Sequence, residues 1–242
     1  MGMARLSGMG FVAAGFALAL GCSSNKTVAK VDDSGLSRLN ESQMEPVDDA
    51  RVEEGHAHDA VAKARANEAD ARARFEVARS ERDVAEAQLK RSVAERDMLK
   101  KQYADRETIA RAANDIDAAT QRIRANDLKL EYLKKMIEVA TTERSLAEAH
   151  LETASAMTEQ AKYRAMRKAN APQADAVNGG SLDARVADAQ LHEAQLRRVS
   201  AEKRTGAVDS YNRWQELDSK VRTLARPENI PVPPPTSGEP TR

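Results

Sequence analysis

The chain of 242 residues carries 38 basic and 38 acidic side chains, for a formal net charge of zero, and although 41% of it is hydrophobic only 3% is aromatic. Much of the apolar share is alanine, which hides little area per residue, so at about 25 cal/mol per Å² no compact enzyme-like core is expected. The finely mixed charges leave no basic arm for nucleic acid and no acidic tail.

Met1 to Cys22 reads as an export signal, with Arg5 as a short positive start and Met9–Leu20 (MGFVAAGFALAL) as an apolar stretch. That stretch is too short for a membrane-spanning helix of about 20 residues. The single cysteine follows at once, in Ala19-Leu20-Gly21-Cys22. A cleaved signal with an unmodified thiol, or an intermolecular disulfide, would also accommodate a lone cysteine, but neither explains its position at the end of the apolar stretch.

This segment resembles the lipobox of bacterial lipoproteins. Gly21 and the small, polar Ser23-Ser24 fit that pattern, whereas Ala19 stands where the family prefers Leu. The resemblance implies cleavage after Gly21 and acylation of Cys22, palmitate among the chains. Ser23, in place of the Asp that commonly retains such proteins at the inner membrane, implies attachment to the outer membrane of a Gram-negative envelope, facing the periplasm. Each buried CH₂ of an acyl chain adds about 0.8 kcal/mol, so the three chains implied would anchor the protein durably.

Residues 1–21 are therefore expected as signal peptide, and 22–45, polar and aperiodic, as lipidated cysteine and flexible tether. A helical coiled-coil domain is expected over 46–225, with Pro46 in its first turn. From His56 to Ala171 there is neither glycine nor proline, and the run is filled with strong helix formers. One heptad seam runs Val61, Ala64, Glu68, Ala71, Phe75, Ala78, Arg82, Ala85, Leu89, Ser92, Arg96, Leu99 and Tyr103, with Glu68, Arg82 and Arg96 as polar interruptions. A second runs at strict sevens from Ile109 through Ile116, Ile123, Leu130, Ile137, Arg144 and Leu151, beside Leu133, Ala140, Ala147, Ala154 and Ala161. The registers slip by one residue near 104–108, which is either a change in supercoil or a turn capped by Asp105. The absence of Gly, Pro or a capping box there favours continuity.

Breakers at 170–173 and 177–181 end the rod, and Ser181 is expected to cap a return helix over about 182–225. Its seam is Leu182, Val186, Ala189, Glu193, Leu196, Ser200, Lys203, Ala207, Ser210, Trp214, Leu217, Val221 and Leu224. Folding about 175–177 would set Ile137 opposite Leu217, Leu133 opposite Val221, Leu130 near Leu224 and Ala140 against Trp214. The fold class is thus all-α: a helix over about 48–170, with a break near 104–108 as its weak point, and an antiparallel return helix. The alternative is an antiparallel three-helix bundle. In the first arrangement residues 48–127 lack an intramolecular partner and are expected to meet a protein partner or another copy. The tail, 226–242, holds six of the eight prolines. It should be extended and polyproline-like around Pro231–Pro235, serving as an unstructured end or as a docking peptide for an aromatic groove.

Chemistry is sparse. His56 and His58, two apart on a helix, point away from each other, and His150 and His192 stand alone, so no metal site is expected. Gly179-Gly180 lacks the lysine and strand of a phosphate loop. No catalytic residues, cofactor, small-molecule substrate or nucleic acid are expected. The general plan resembles small helical outer-membrane lipoproteins and implies a structural, tethering or scaffold protein of the envelope. Members that bond covalently to the cell wall do so through a C-terminal lysine, whereas this chain ends Pro240-Thr241-Arg242. A second class is a helical-hairpin accessory of an efflux-type transport assembly. Complete adaptors of that kind carry β-rich domains beside the hairpin, and neither flank here has strand alternation. A third is a chaperone that grips clients between helices.

Overall fold

A computed structural model describes residues 30–224. The expected signal peptide, Gly21, Cys22 and the proline-rich tail 226–242 lie outside them, as does the side chain of Leu224. Among the described residues there is no strand, and no helix is long and apolar enough to cross a membrane.

The architecture is all-α. Helix α1 spans Glu41–Lys101, α2 Arg106–Lys168 and α3 Gly179–Leu224. At about 1.5 Å per residue they are roughly 90, 95 and 70 Å long. They run antiparallel in turn. The central α2 packs against α1 on one side and α3 on the other, while α1 and α3 scarcely meet. Of the two arrangements open to the sequence, the three-helix one is realised, and residues 48–127 find their partner within the chain.

The expected continuity through 104–108 fails for a local reason. Tyr103 adopts φ 56, a left-handed position usually held by glycine. The Ala104 N–H then donates to the Leu99 carbonyl at 3.1 Å and the Tyr103 N–H to Lys100 at 3.3 Å, which closes the helix in a Schellman motif. Asp105 starts α2 by accepting from the Thr108 backbone N–H and hydroxyl, both at 2.8 Å. A left-handed non-glycine residue costs about 1–2 kcal/mol. The return of α2 covers Ala57, Ala64, Ala71, Ala78 and Ala85, together with Val47 and Val61. At about 0.8 kcal/mol per buried methyl(ene), that ladder outweighs the turn.

The polar interruptions in the seams also find partners. Glu68, only 8% exposed, meets Arg144 Nε at 3.0 Å across α1 and α2, and Arg72 at 2.6 Å. Arg82 reaches Asp127 of α2 at 3.0 Å. The remaining interruption, Arg96, pairs with its neighbour Asp97. Local i,i+4 pairs form at Asp70–Arg74, Glu131–Lys135 and Glu193–Arg197. Glu86 and Asp97 take Arg82 and Arg96.

The ends of two helices differ from expectation. Asn40 caps α1 in a capping box with Gln43, so the helix begins before Pro46, which sits in its second turn and gives up one hydrogen bond. Asn178, rather than Ser181, caps α3: its side chain accepts from the Ser181 N–H at 3.3 Å. The second part of the expected tether is ordered too. Asp33–Arg38 form a 3₁₀ turn, and Val31 and Leu36 join Met166, Ala171, Ala174 and Leu182 in a compact apolar cluster. Gly35 lies so close to Met166 that a Cβ there would come within 2.7 Å of its Sδ.

A buried ion network fastens this segment to the base of the body, the end where α2 finishes and α3 starts. The Val31 N–H donates to Glu159 Oε2 at 2.6 Å. Lys162 Nζ joins Glu159 at 3.0 Å and Asp33 at 2.9 Å. Burial pulls the Lys162 pKa down, but hydrogen bonds to Asp33 and Glu159 more than offset it and hold the ammonium above its ordinary value.

Candidate functional site

The register of α3 on α2 is fixed by named contacts. Arg213 pairs with Glu131 at 2.7 Å, Lys203 with Glu138 at 2.7 Å, Arg204 with Glu143 at 2.7 Å and Arg164 with Asp183 at 3.2 Å. Trp214 therefore lies beside Tyr132 and Lys129, not Ala140, and each α3 residue faces a position about ten residues earlier on α2 than expected. The connection explains the offset. Asn170, at φ 53, ends α2 in a second Schellman motif, with Ala171 N–H to Met166 at 2.9 Å. The chain then turns back through the 3₁₀ segment Pro172–Ala176. Gly179, the first residue of α3, comes to rest against Tyr163, where a Cβ would lie 2.5 Å from the ring.

Of the expected packing seam, Leu133, Ala140 and Val221 are buried, whereas Leu130, Ile137, Trp214 and Leu217 are half-buried. They lie on the faces that meet, but Ala140–Trp214, Ile137–Leu217 and Leu133–Val221 do not fall opposite one another. Lys203, placed in the seam by the heptad count, is exposed and reaches across to Glu138. That contact, before the opposing cost of burial, lowers the Glu138 pKa.

Because α1 and α3 flank α2 without closing over it, a long trough is left between them, floored by α2. One hollow in it has a volume of about 610 Å³ and is floored by Leu133, Met136, Val139 and Ala140. Asp70 and Arg74 of α1 form one rim, and Arg204, Val208 and Tyr211 of α3 the other. The same faces continue to a second hollow between Glu81 on α1, Lys129 on α2 and Trp214 with Val221 on α3. The exposed Val77 and Val84 edge an adjoining hollow that shares Glu81 and Arg122.

An aromatic cluster stands where the first two hollows meet. Tyr132 stacks on Trp214 with ring centroids 5.8 Å apart at 12°, and Tyr211 meets both edge-on at 5.3 and 5.7 Å. Lys129 Nζ lies 6.0 Å from the Trp214 ring centroid. The i,i+3 spacing of Tyr211 and Trp214 was the available signal for one shared face; Tyr132 joins it only through the true register.

Two of the histidines face neighbouring helices. The two ring nitrogens of His150 face Glu53 of α1 at 3.6 Å and Glu193 of α3 at 3.5 Å, linking all three helices. His192 faces Glu152 at 3.9 Å, and His56 faces Glu53 at 3.8 Å. No group of three or more His, Cys, Asp or Glu is placed to hold a metal among the described residues. Compared with protein-family models, curated proteins and solved structures, the chain matches none.

Proposed function

We propose that the protein is a lipid-anchored periplasmic spacer of the bacterial envelope, which holds a partner at a fixed distance from the outer membrane. The observation that supports this is the polarity of the helical body. Val31 is fastened at the base by Glu159, and the nine residues of chain from Cys22 to Val31 can extend at most about 31 Å. The opposite end is the α1–α2 turn, about 90 Å away along the helices, where Tyr103 is 95% exposed. Anchored from the base, the hairpin would carry its tip away from the membrane. The work is contact at a distance, carried by helix faces and by the tip.

The test is a photocrosslinking residue at Tyr103 in the acylated chain within intact envelopes. A discrete adduct at position 103, absent from a Cys22→Ser chain that is no longer held at the membrane, is the expected result. The reading is overturned if Cys22→Ser leaves both membrane retention and the adduct unchanged. A second reading, an accessory hairpin of a transport assembly, rests on the same long capped pair, α1–α2. The adduct distinguishes the two: a transporter subunit supports the accessory, whereas cell-wall material or a scaffold protein supports the spacer.

A further inference from the structure

We infer that the α1–α2 turn is an exchange hinge, through which two copies of the chain swap residues 31–101 so that each α1 packs on the other copy's α2. The first observation is the turn itself. Only the four residues 102–105 separate the two helices. Within them Tyr103 holds a left-handed backbone, φ 56, while its side chain is 95% exposed. No packing of that ring offsets the strain. Short hinges under strain favour exchange, because the opened form releases the strain and keeps the contacts made elsewhere.

The second is composition. The hinge, Gln102-Tyr103-Ala104-Asp105, contains neither Gly nor Pro, so nothing in it forbids a helix. Opened, it lets one helix run from 41 to 168, roughly 190 Å long at about 1.5 Å per residue. The backbone groups now closed by the Schellman motif and by Asp105 then enter ordinary helical hydrogen bonds.

The third is the way α1 is held. It packs on α2 and scarcely meets α3, so it can leave without parting α2 from α3. The Thr158 hydroxyl donates to the Ala50 carbonyl at 3.2 Å, Arg82 meets Asp127 at 3.0 Å, and Arg144 meets Glu68 at 3.0 Å. The midpoints of these pairs all fall at positions 104 to 106, on or beside the hinge. Two straightened copies laid antiparallel therefore meet in the register of the hairpin, with a two-fold axis at the hinge. Every α1–α2 contact then recurs between copies, as an isologous interface requires. Concentration decides between the forms, since closure within one chain prevails when the chain is dilute.

The experiment uses the full acyl-free chain in a Cys22→Ser background, unfolded in urea and refolded over about a hundredfold range of concentration. Native mass spectrometry should show a dimer whose fraction rises with concentration. Tyr103→Gly suits the left-handed turn and should weaken dimerisation by about tenfold, the size of the strain it removes. Tyr103→Ala combined with Asp105→Ala removes the cap and favours helix, so it should strengthen dimerisation. Charge reversal separates exchange from side-by-side association. Glu68→Arg and Arg144→Glu each set like charges across α1 and α2 in a closed hairpin, whereas a swapped pair made of one of each restores both ion pairs. Refolded together, they should give mixed dimers in about tenfold excess over either homodimer. A Tyr103 chain that stays monomeric throughout the range overturns the inference. So do dimers that are indifferent to Tyr103→Gly, or that form without preference for the mixed pair.

Discussion

Tyr103 shows how one side chain can set topology. Its left-handed backbone, φ 56, is held because the two hydrogen bonds of the Schellman motif and the Asp105 cap both depend on it. Tyr103→Gly should retain the turn and remove the strain, raising stability by about 1 kcal/mol, readable as a higher denaturation midpoint. At the other connection the constraint is steric. Gly179→Ala places a methyl 2.5 Å from Tyr163, so it should lower the melting temperature. In a double-mutant cycle, Tyr163→Ala should cancel most of that added loss. Both residues also show why sequence reading falls short here. The helix terminator is expected to be glycine or proline, and at 103 it is tyrosine. The glycine at 179 reads as a breaker, yet it opens a helix.

The seams were legible element by element because alanine at sevens leaves no other face to bury. Val61, Ala64, Ala71, Ala78 and Ala85, and the run from Leu182 through Val186 and Ala189, are buried as the spacing predicts. Register was not legible, since it depends on where the chain turns, and the asymmetric Asn170–Asn178 connection shifts α3 by about ten residues along α2. The polar interruptions carry a further lesson: Glu68 and Arg144, each a defect in its own helix, are a pair once α2 folds back. The hydrogen bond from Arg72, opposed by partial burial and aided by Arg144 and Thr141, holds the Glu68 carboxyl below its ordinary value of 4.5.

A carboxylate with a depressed folded-state pKa contributes its full stabilisation above its unfolded value, here near 4.5, and loses it as pH falls through the folded value. Asp105 and Glu138 are depressed as well, by the Thr108 backbone N–H and by Lys203 respectively. Urea midpoints should therefore fall below about pH 4.5, and less steeply in Glu68→Gln. Glu68→Leu alone should cost about 1 kcal/mol, the upper range for a partly exposed pair. Glu68→Leu combined with Arg144→Leu should restore wild-type stability or exceed it, because two apolar side chains in a seam need no partner.

At the scale of the whole described body, the N-terminal segment matters as much as the helices. Residues 31–39 read as tether because Val31, Leu36 and Leu39 follow neither a helical nor a strand period. Their 3₁₀ geometry and the Glu159–Lys162 pair, separated from them by over a hundred residues of sequence, make them part of the base. Met166, fully buried beneath this segment, is the residue on which the docking rests. Met166→Ala should cost roughly 2–5 kcal/mol, and limited proteolysis should then cut within 31–40 well before the helices. Since the raised Lys162 pKa contributes stability below 10.5 that is lost as pH rises through its folded value, the same cuts should appear in the unaltered chain under strongly alkaline conditions.

The spacer reading turns on where the two ends of the hairpin stand relative to a bilayer. Energy transfer to acceptor lipids decides it, from a dye on Tyr103→Cys or on Gln173→Cys in vesicles carrying the Cys22-acylated chain. Strong transfer from position 173 and almost none from position 103 is the predicted outcome. Equal transfer from both positions, as from a body lying flat on the membrane, would contradict it.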